Sequence, residues 1–203
     1  MNKQLTVQNA STTEISSVNE NDRTPAIETL MLAFAADPQI RFLFPDPLQY
    51  QTHAFDFFKA FGGNAFKFNS AHQVNGFSGT ALWLPPDTHP DEQYLLDVIQ
   101  KGVESSTLPT VMAVLEQMEE YQPDEPHWHL PLIGIDPPKQ GNGYGSALLQ
   151  YALDLIDRQE EIAYLENSNP VNTPLYERHG FEVLGTIQVD DAPPMYPMIR
   201  YPA

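Results

Sequence analysis

A glycine-rich turn lies between a predicted strand and a predicted helix, and its composition suits the binding of an anion. Three glycines alternate with other residues over 141–146, Gly-Asn-Gly-Tyr-Gly-Ser. Glycine allows the backbone to curl and to approach a ligand closely. The first amides of the helix that follows have no internal partners, and they carry the positive end of the helix dipole. The main-chain amides of this run are therefore predicted to be able to hold a phosphate group.

The same run lacks the features of two common nucleotide-binding loops. A Walker A loop needs a Gly-Lys pair followed by Ser or Thr, and the sequence has no Gly-Lys pair. A Rossmann fingerprint is Gly-x-Gly-x-x-Gly, whereas the spacing here is Gly-x-Gly-x-Gly, with no second βαβ half after it. The nearby cations are few, Lys139 and then Arg158, so a phosphate would be bound mainly by amides. Taken alone, the run could equally be a tight turn without a ligand.

Side chains on the strand before the turn could carry acid–base chemistry. His127 and His129 are two positions apart, so they share a face of that strand, and histidine titrates near neutral pH. Glu119 and Glu120 are alternative bases, and surface or hydrogen-bonded core histidines are the structural alternative. We expect no metal site, since the histidine pair lacks a clear third ligand and the chain has no cysteine. Ser146 does not lie in the Gly-x-Ser-x-Gly elbow of a serine hydrolase.

The elements that must position these residues follow from the spacing of apolar residues. A strand over 128–135, the glycine turn, a helix over 143–158 and a strand over 162–166 predict a right-handed parallel βαβ unit. A first helix is predicted to have its cap and first-turn proline at Thr24 and Pro25 and to end at 37–38. The other predicted helices are 48–61, near 94–98, near 109–118 and 173–179, and the other predicted strands are 14–18, 64–69, 77–84, 181–189 and 195–201.

Composition limits the class of protein. The chain has 203 residues, so we expect one domain over 1–203. It has no apolar stretch long enough for a membrane span, no apolar core of a secretory signal in residues 1–17 and no cysteine, which together favour a cytoplasmic protein. The formal charge of −17 repels nucleic acid and could attract a cationic substrate, although solubility alone is a sufficient reason for it. No nucleic-acid or membrane partner is expected.

Two motifs resemble those of the GCN5-related N-acetyltransferase (GNAT) superfamily. Gln140, Gly143 and Gly145 match its motif A, Gln/Arg-x-x-Gly-x-Gly/Ala, and residues 132–137 resemble the strand that leads into it. Downstream, Leu-Tyr-Glu-Arg-His-Gly-Phe at 175–181 resembles motif B, in which a tyrosine typically stands four residues before Gly-Phe. The resemblance is close over about 126–200 and looser over 25–90, where short matches resemble the branch that includes puromycin N-acetyltransferase.

The resemblance implies a fold and a cosubstrate. The fold class would be α/β (α+β), with a mixed, mostly antiparallel sheet of six or seven strands, a splayed central parallel pair and helices on both faces. Acetyl-CoA would be bound by a core at about 126–189, with its pantetheine arm in the gap between the splayed strands. The implied cofactor-binding residues are the backbones of Leu132, Ile133 and Ile135, then Gln140, Gly141, Gly143, Gly145 and Ser146 at the pyrophosphate, and Asn167 or Asn172 on the pantetheine arm.

The same resemblance implies acetyl transfer by direct attack of an amine, with Tyr176 as the proton donor to the leaving thiolate. A model phenol has a pKa of about 10 and a model thiol about 8.5, so the phenol can lend a proton or a hydrogen bond at modest cost. A tyrosine that only packs its short helix is the alternative. His127 and His129 are the candidate bases. A bulge near Ile133, beside Pro131, could leave an amide free to polarise the thioester carbonyl.

The predicted acceptor is the primary amine of a small molecule, and we also consider a homodimer. The aromatic-rich segment 40–61 and the helices of 85–125 are expected to shape the acceptor site, but their spacing identifies no particular amine. The alternative function is a non-catalytic module of the same fold that binds CoA or a small ligand.

Overall fold

The strands form one seven-stranded sheet in the computed structural model, which describes residues 13–203. The strands are β1 (Ile15–Ser17), β2 (Ala71–Val74), β3 (Gly79–Leu84), β4 (His127–Ile135), β5 (Ile162–Asn167), β6 (Glu182–Val183) and β7 (Tyr196–Arg200). They lie side by side in the order β1-β2-β3-β4-β5-β7-β6. All neighbours are antiparallel except β4 and β5, which confirms the predicted mixed sheet with a central parallel pair.

Helices cover both faces of this sheet. They are α1 (Arg23–Phe34), α2 (Pro38–Leu43), α3 (Pro47–Gly62), α4 (Glu92–Gly102), α5 (Leu108–Tyr121), α6 (Tyr144–Asp157) and α7 (Thr173–Arg178). One apolar cluster packs the five helices from α1 through α5 against the sheet at Leu82 and Leu132. A second packs α6 and α7 against the sheet at Trp83 and Leu165. Since side chains alternate between the two faces of a strand, consecutive residues of β3 serve different clusters, and the whole strand is buried.

The parallel strands β4 and β5 pair only where they begin. Their register runs from His127 opposite Ile162 to His129 opposite Tyr164, and no further pair between these strands is present in residues 13–203. The remaining residues of β4 and β5 diverge. This is the splayed central pair that the resemblance implies, and it opens a gap at the carboxyl ends of both strands.

An irregularity in β4 lies at the point of separation. Leu82 of β3 faces Leu132, but Leu84 faces His129, so two residues of β4 share one partner position. One of these two residues is Pro131, which has no amide hydrogen to give to the ladder. The bulge therefore includes Pro131, close to which irregular pairing is predicted, and it lies just before Ile133.

The strand predicted over 64–69 is wrong. Gly63–Phe68 is a 3-10 turn that continues from α3, and the strand begins only at Ala71. A side chain at Gly62 would place its Cβ 2.9 Å from Leu82 Cδ1, so this glycine allows α3 to pack closely on the sheet rather than ending the helical chain. The helix predicted over 48–61 is confirmed as α3, and the 3-10 turn then continues the helical path to Phe68.

Two other boundaries need correction. The first helix begins at Arg23, so Thr24 lies inside it and is not its cap. Asp37 follows the end of this helix and is also the residue that precedes α2. The Asp37 carboxylate accepts from the amides of Gln39 and Ile40 and so caps α2. The strand predicted over 181–189 is reduced to β6 and one isolated bridge between Ile187 and Met195.

No helix in the part of the chain that the structure describes is long and apolar enough to cross a membrane. Part of the segment for which the sequence predicts no secretory signal, residues 1–12, lies outside the described residues.

We expect His72 of β2 to make stability depend on pH. Burial beneath Tyr151 lowers the pKa of His72 to about 4. Below pH 6.5 the unfolded chain takes up a proton at this residue that the folded chain refuses, so stability is present above pH 6.5 and is lost as the pH falls towards 4. At about 1.4 kcal/mol per pH unit, lowering the pH from 7.5 to 5.0 costs about 2 kcal/mol from this residue.

Urea unfolding at the two pH values measures this loss. The variant His72→Phe should show a pH dependence smaller by about 2 kcal/mol, because its side chain does not titrate. Replacement of the exposed His89 by Gln is the matched control and should leave the pH dependence as it is in the wild type. Identical pH dependence in His72→Phe and the wild type would show that His72 accepts a proton in the folded state.

Candidate active site

Six consecutive backbone amides at the end of β4 have no hydrogen-bond acceptor in the described structure. They belong to residues 141–146, and the first amide with a helical partner is that of Ala147, which donates to the Gly143 carbonyl at 3.0 Å. Unpaired amides at the start of a 14-residue helix carry partial positive charge. This turn therefore has the donors that a diphosphate group requires.

The turn is held open by two glycines in the left-handed region and by two side chains. Gly141 has φ 77° and Gly143 has φ 80°, and no atom lies within 4 Å of a Cβ added at either position. Gln140 Nε2 donates to the Ile135 carbonyl at 3.2 Å, and Asn142 Nδ2 donates to the Lys139 carbonyl at 2.8 Å. Gln140 thus braces the turn against the strand through one of its two amide hydrogens.

Ser146 offers its amide but not its hydroxyl to this turn. His179 Nδ1 lies 2.8 Å from the Leu175 carbonyl, so it carries the proton, and His179 Nε2 accepts from the Ser146 hydroxyl at 2.9 Å. Gly145 lies on the same side of the helix start, where an added Cβ would meet Leu175 at 3.6 Å. The contacts of Ser146 and Gly145 therefore join the start of α6 to α7.

Alternation along the antiparallel ladder decides which backbone groups of β4 face the gap. The Asp136 amide donates to the Ser78 carbonyl across the β3–β4 edge at 3.1 Å. In such a ladder every second residue directs its amide and carbonyl to the same partner strand, so Leu132 faces β3. Ile133 and Ile135 direct theirs to the side of β5, which has already separated. Of the three predicted positions, these two have backbone groups turned towards the gap.

The two asparagines predicted on the pantetheine arm differ in their availability. Asn167 is buried, its Nδ2 donates to Thr173 Oγ1 at 2.9 Å, and its Oδ1 accepts from the Asn169 amide at 3.2 Å. Its side chain thus holds the turn that precedes α7. Asn172 is exposed, and its side chain makes no hydrogen bond with the described residues. Asn172 is therefore the one that a ligand could engage.

A cavity of about 110 Å³ opens beside the splayed strands. Pro131 and Ile133 of β4 line it on one side, and Tyr176 of α7 lines it on another. The Tyr176 side chain is buried and its hydroxyl makes no hydrogen bond within residues 13–203. Burial, together with the nearby Asp37 carboxylate, raises the pKa of this phenol, so it stays protonated at neutral pH.

Glu166 and His129 form a buried hydrogen-bonded pair between the parallel strands. His129 Nε2 donates to Glu166 Oε2 at 2.7 Å, and the side chains are only 7% and 3% exposed respectively. Glu166 lines the cavity beside Tyr176, whereas its Oε1 is buried without a hydrogen-bond partner among the described residues. Burial and the Glu166 charge raise the pKa of the neighbouring Tyr164 hydroxyl. The pair places an acid–base group at the cavity wall.

Glu166 is a functional candidate that the sequence reasoning missed. A signal was present, because a glutamate within the apolar strand Ile-Ala-Tyr-Leu-Glu-Asn is rarely buried unless it is paired. His127, by contrast, lines neither this cavity nor the groove described next. Its Nδ1 contacts the Glu125 carbonyl at 2.9 Å, and burial is the main cause that lowers its pKa. The structure therefore brings His129 to the site and leaves His127 outside it.

An open groove between α4 and α5 reaches His129 from the solvent. Its volume is about 850 Å³, and its lining includes the carboxylates Glu92, Glu116 and Glu119. Of the two rival bases, Glu119 lies in this groove and Glu120 does not. Negative charge at the mouth would favour the approach of cations.

The Asp37 carboxylate has a structural role at the cavity. Besides capping α2, it accepts from the Ser168 hydroxyl at 2.7 Å, which ties the start of α2 to the segment after β5. Burial raises the pKa of Asp37, and its hydrogen bonds partly oppose this shift. Among residues 13–203, no group of three histidine, aspartate or glutamate side chains is arranged to hold a metal ion.

Comparison with known proteins identifies related sequences. Residues 81–181 match the model of the acetyltransferase (GNAT) family. An uncharacterized N-acetyltransferase of Schizosaccharomyces pombe is 26% identical over an alignment of 152 residues that covers 64% of this chain and 59% of that protein. The chain thus spans about three fifths of the length of this curated relative.

Two solved structures share the fold. A Corynebacterium glutamicum protein described as histone acetyltransferase HPA2 and related acetyltransferase superposes with a TM-score of 0.70 at 24% identity, covering 94% of this chain and 97% of that one. A polyamine N-acetyltransferase of Drosophila melanogaster, which forms N-acetylagmatine, superposes with a TM-score of 0.67 at 11% identity, covering 94% and 100%. At these identities the likenesses establish the fold.

Proposed function

Because this chain belongs to the acetyltransferase (GNAT) family, we propose that it transfers an acetyl group from acetyl-CoA to the primary amine of a small molecule. The observation that carries this proposal is the row of six unpaired amides at residues 141–146, which follows the end of β4 that diverges from β5. A donor row of this kind suits the diphosphate of CoA. The gap between the strands then leads from the diphosphate site to Tyr176.

The residues that would hold acetyl-CoA follow from what the structure leaves free. The amides of Gly141, Gly143, Gly145 and Ser146 would bind the diphosphate, and the backbones of Ile133 and Ile135 would bind the pantetheine arm. Asn172 would contact that arm from the turn that precedes α7. Gln140, Leu132 and Asn167 would act indirectly, by bracing the turn, the sheet and the segment before α7. Main-chain donors would supplement the few cations near the turn, Lys139 and Arg158.

Acetyl transfer needs a neutral amine, a polarised carbonyl and a proton for the sulfur. The amine nitrogen forms a bond to the thioester carbon, the carbon–sulfur bond breaks, one proton leaves the nitrogen and one reaches the sulfur. The Ile133 amide is turned away from β3 beyond the last β5 pair, so it would donate to the carbonyl oxygen as negative charge develops there.

Tyr176 would serve the leaving sulfur. Its hydroxyl lies at the cavity, remains protonated because burial raises its pKa, and is not engaged by another described side chain. Its proton is therefore available as a hydrogen bond to the developing thiolate. The raised pKa makes complete proton transfer less favourable than it would be from a free phenol, so stabilisation of the thiolate by hydrogen bonding is the larger part of this role.

Glu166 would accept the proton of the incoming ammonium. Its Oε1 makes no hydrogen bond within residues 13–203, while its Oε2 is held by His129. His129 also lines the open groove, so the pair lies between the cavity and the solvent, and the Nε2–H group of His129 holds the Glu166 carboxylate in place. The base is then the Glu166–His129 pair, with His129 as one of the two candidate histidines named above. A small amine acceptor is supported by the Drosophila relative, which acts on agmatine.

Release of CoA from acetyl-CoA in the presence of amines tests this function. The chain has no cysteine, so a thiol-reactive dye reports only the CoA that is released. We expect release to depend on added primary amine across a panel that includes monoamines, diamines and lysine peptides. Absence of amine-dependent release, together with absence of CoA binding by calorimetry at millimolar concentration, would contradict the proposal.

We expect Gly143→Ala to weaken the binding of CoA about tenfold. An alanine at φ 80° is strained by about 1–2 kcal/mol, and relief of that strain turns the amides of residues 141–146 away from their common direction. The matched control is Gly145→Ala, where the added Cβ would make ordinary contacts with Leu175 at 3.6 Å and Ile135 at 3.8 Å.

Calorimetric titration of CoA into both variants measures the difference. Gly145→Ala should bind within about twofold of the wild type, since its Cβ points into the protein. Equal affinities of the two variants for CoA would show that the left-handed turn is not part of the binding site.

A further inference from the structure

The cavity beside Tyr176 has one polar wall and one apolar wall. The polar wall consists of Asp37 and the segment from Glu166 to Tyr176. The opposite wall is made by helices α2 to α5. Apart from Gln39, whose amide group donates to the Pro193 carbonyl, its described side chains are apolar, among them Ile40, Phe57, Leu95, Ile99, Val111 and Val114. A ligand that fills this cavity must therefore carry a polar end and an apolar end.

The polar wall requires a ligand that donates hydrogen bonds. Among residues 13–203, the charged side chains that line the cavity are Asp37 and Glu166, and none of the lining residues is a lysine or an arginine. The Asp37 carboxylate is already occupied by Ser168 and the α2 amides. The Glu166 side chain is only 3% exposed, and its Oε1 atom has no hydrogen-bond partner within residues 13–203. A buried acceptor of this kind is satisfied by an N–H of the ligand.

We propose that the acceptor is a primary monoamine with an apolar body, bound with its nitrogen at Glu166 and its carbon chain or ring between α2 and α5. This inference rests on the proposed function and specifies its substrate class. The cavity volume is about 110 Å³, somewhat below the roughly 150 Å³ of an apolar protein cavity that binds benzene. The apolar body is therefore a branched or linear alkyl group.

A second ammonium group would be excluded by the apolar wall. There it would lie among Phe57, Ile99 and Val111, with no carboxylate from that wall to pair with it. The carboxylates Glu92 and Glu116 belong to the open groove, which Phe61 and other apolar side chains shared by the two linings separate from the cavity. A diamine could use those carboxylates only by binding in the groove instead.

Two isosteric substrates test the inference in the wild-type protein. Pentylamine and 1,4-diaminobutane have the same length, and they differ in carrying a methyl or an ammonium group at the far end. We expect kcat/KM for pentylamine to exceed that for 1,4-diaminobutane at least a hundredfold, measured by CoA release. Equal values, or a preference for the diamine, would overturn the monoamine inference while leaving acetyl transfer established.

A pair of variants on α5 locates the apolar end. Val114→Phe fills the cavity and should lower kcat/KM for pentylamine at least tenfold while leaving that for methylamine within about threefold. Met112 lines the groove and not the cavity, so Met112→Phe should leave both values within about twofold. A larger loss in Met112→Phe than in Val114→Phe would place the acceptor in the groove and overturn the inference.

The wild-type comparison decides the inference even where Val114→Phe fails to fold. If no amine of the panel releases CoA although CoA binds, both the acceptor class and the proposed activity fail. If CoA does not bind, the proposed function fails at its first step, and the inference fails with it.

Discussion

Replacement of Tyr176 by Phe is expected to lower kcat about a hundredfold or more while the affinity for CoA stays within about twofold of the wild type. The variant removes only the hydroxyl group, which is the donor we assign to the leaving thiolate. Because that hydroxyl makes no hydrogen bond with the described residues, its removal leaves no buried partner unsatisfied. Stability should therefore be retained, and the loss should appear in the chemical step.

Steady-state kinetics, CoA calorimetry and thermal unfolding together separate these effects. Tyr151→Phe is the matched control, since Tyr151 lies on α6 at the surface and outside the cavity. It should leave kcat within about twofold. Full activity of Tyr176→Phe would remove this residue from the mechanism, and a parallel loss of CoA affinity would assign it to binding instead. A protein that binds CoA but forms no free CoA from acetyl-CoA in the presence of amines would agree with the non-catalytic module.

Replacement of Glu166 by Gln is expected to lower kcat/KM about a hundredfold at pH 7. Glutamine keeps the shape of the side chain and a hydrogen bond to His129, but it cannot take a proton from the ammonium group of the acceptor. A simple alkylamine has a pKa near that of a lysine side chain, about 10.4, so little of it is neutral at pH 7. The base is therefore needed most at low pH.

The pH dependence separates a base from a residue that only supports the fold. Near pH 9.5 the neutral fraction of the amine is larger by about two orders of magnitude, so the deficit of Glu166→Gln should shrink to about tenfold or less. A deficit that stays constant from pH 7 to 9.5 would mean that Glu166 has a structural role. Glu119→Gln tests the rival carboxylate of the groove, and a larger loss there than in Glu166→Gln would relocate the base.

Local sequence features were sufficient to predict the parts of the site that depend on the backbone. The glycine turn, the strand before it and the helix after it lie within a few residues of one another, so their geometry is determined locally. Left-handed φ angles at Gly141 and Gly143 agree with the expected curled turn. The irregularity at Pro131 was also expected, because proline cannot contribute an amide to the ladder.

Contacts between distant segments could not be predicted in the same way. Glu166 and His129 are 37 residues apart, and their 2.7 Å hydrogen bond depends on the parallel register of β4 and β5. Asn167 was named as a ligand residue, although its side chain is used by Thr173 and Asn169. The role of Gly62 in packing against Leu82 likewise depends on a tertiary contact, which local sequence patterns do not show.

Several predictions concern the whole protein rather than the site. A single domain over 1–203, a homodimer, a cytoplasmic location and the lack of nucleic-acid and membrane partners stay predictions. The charge of −17 is consistent with the amide-based phosphate site, because the turn at 141–146 compensates locally for the scarcity of cations.

A crystal structure of the protein with bound CoA is the most direct examination of how the cosubstrate is held. We predict that diphosphate oxygens lie about 3 Å from several amides of residues 141–146, that the pantetheine arm lies between β4 and β5, and that the sulfur lies near Tyr176. A structure in which this turn is closed on itself, in which protein side chains fill the space between the two strands, or in which CoA binds elsewhere would contradict the assignment.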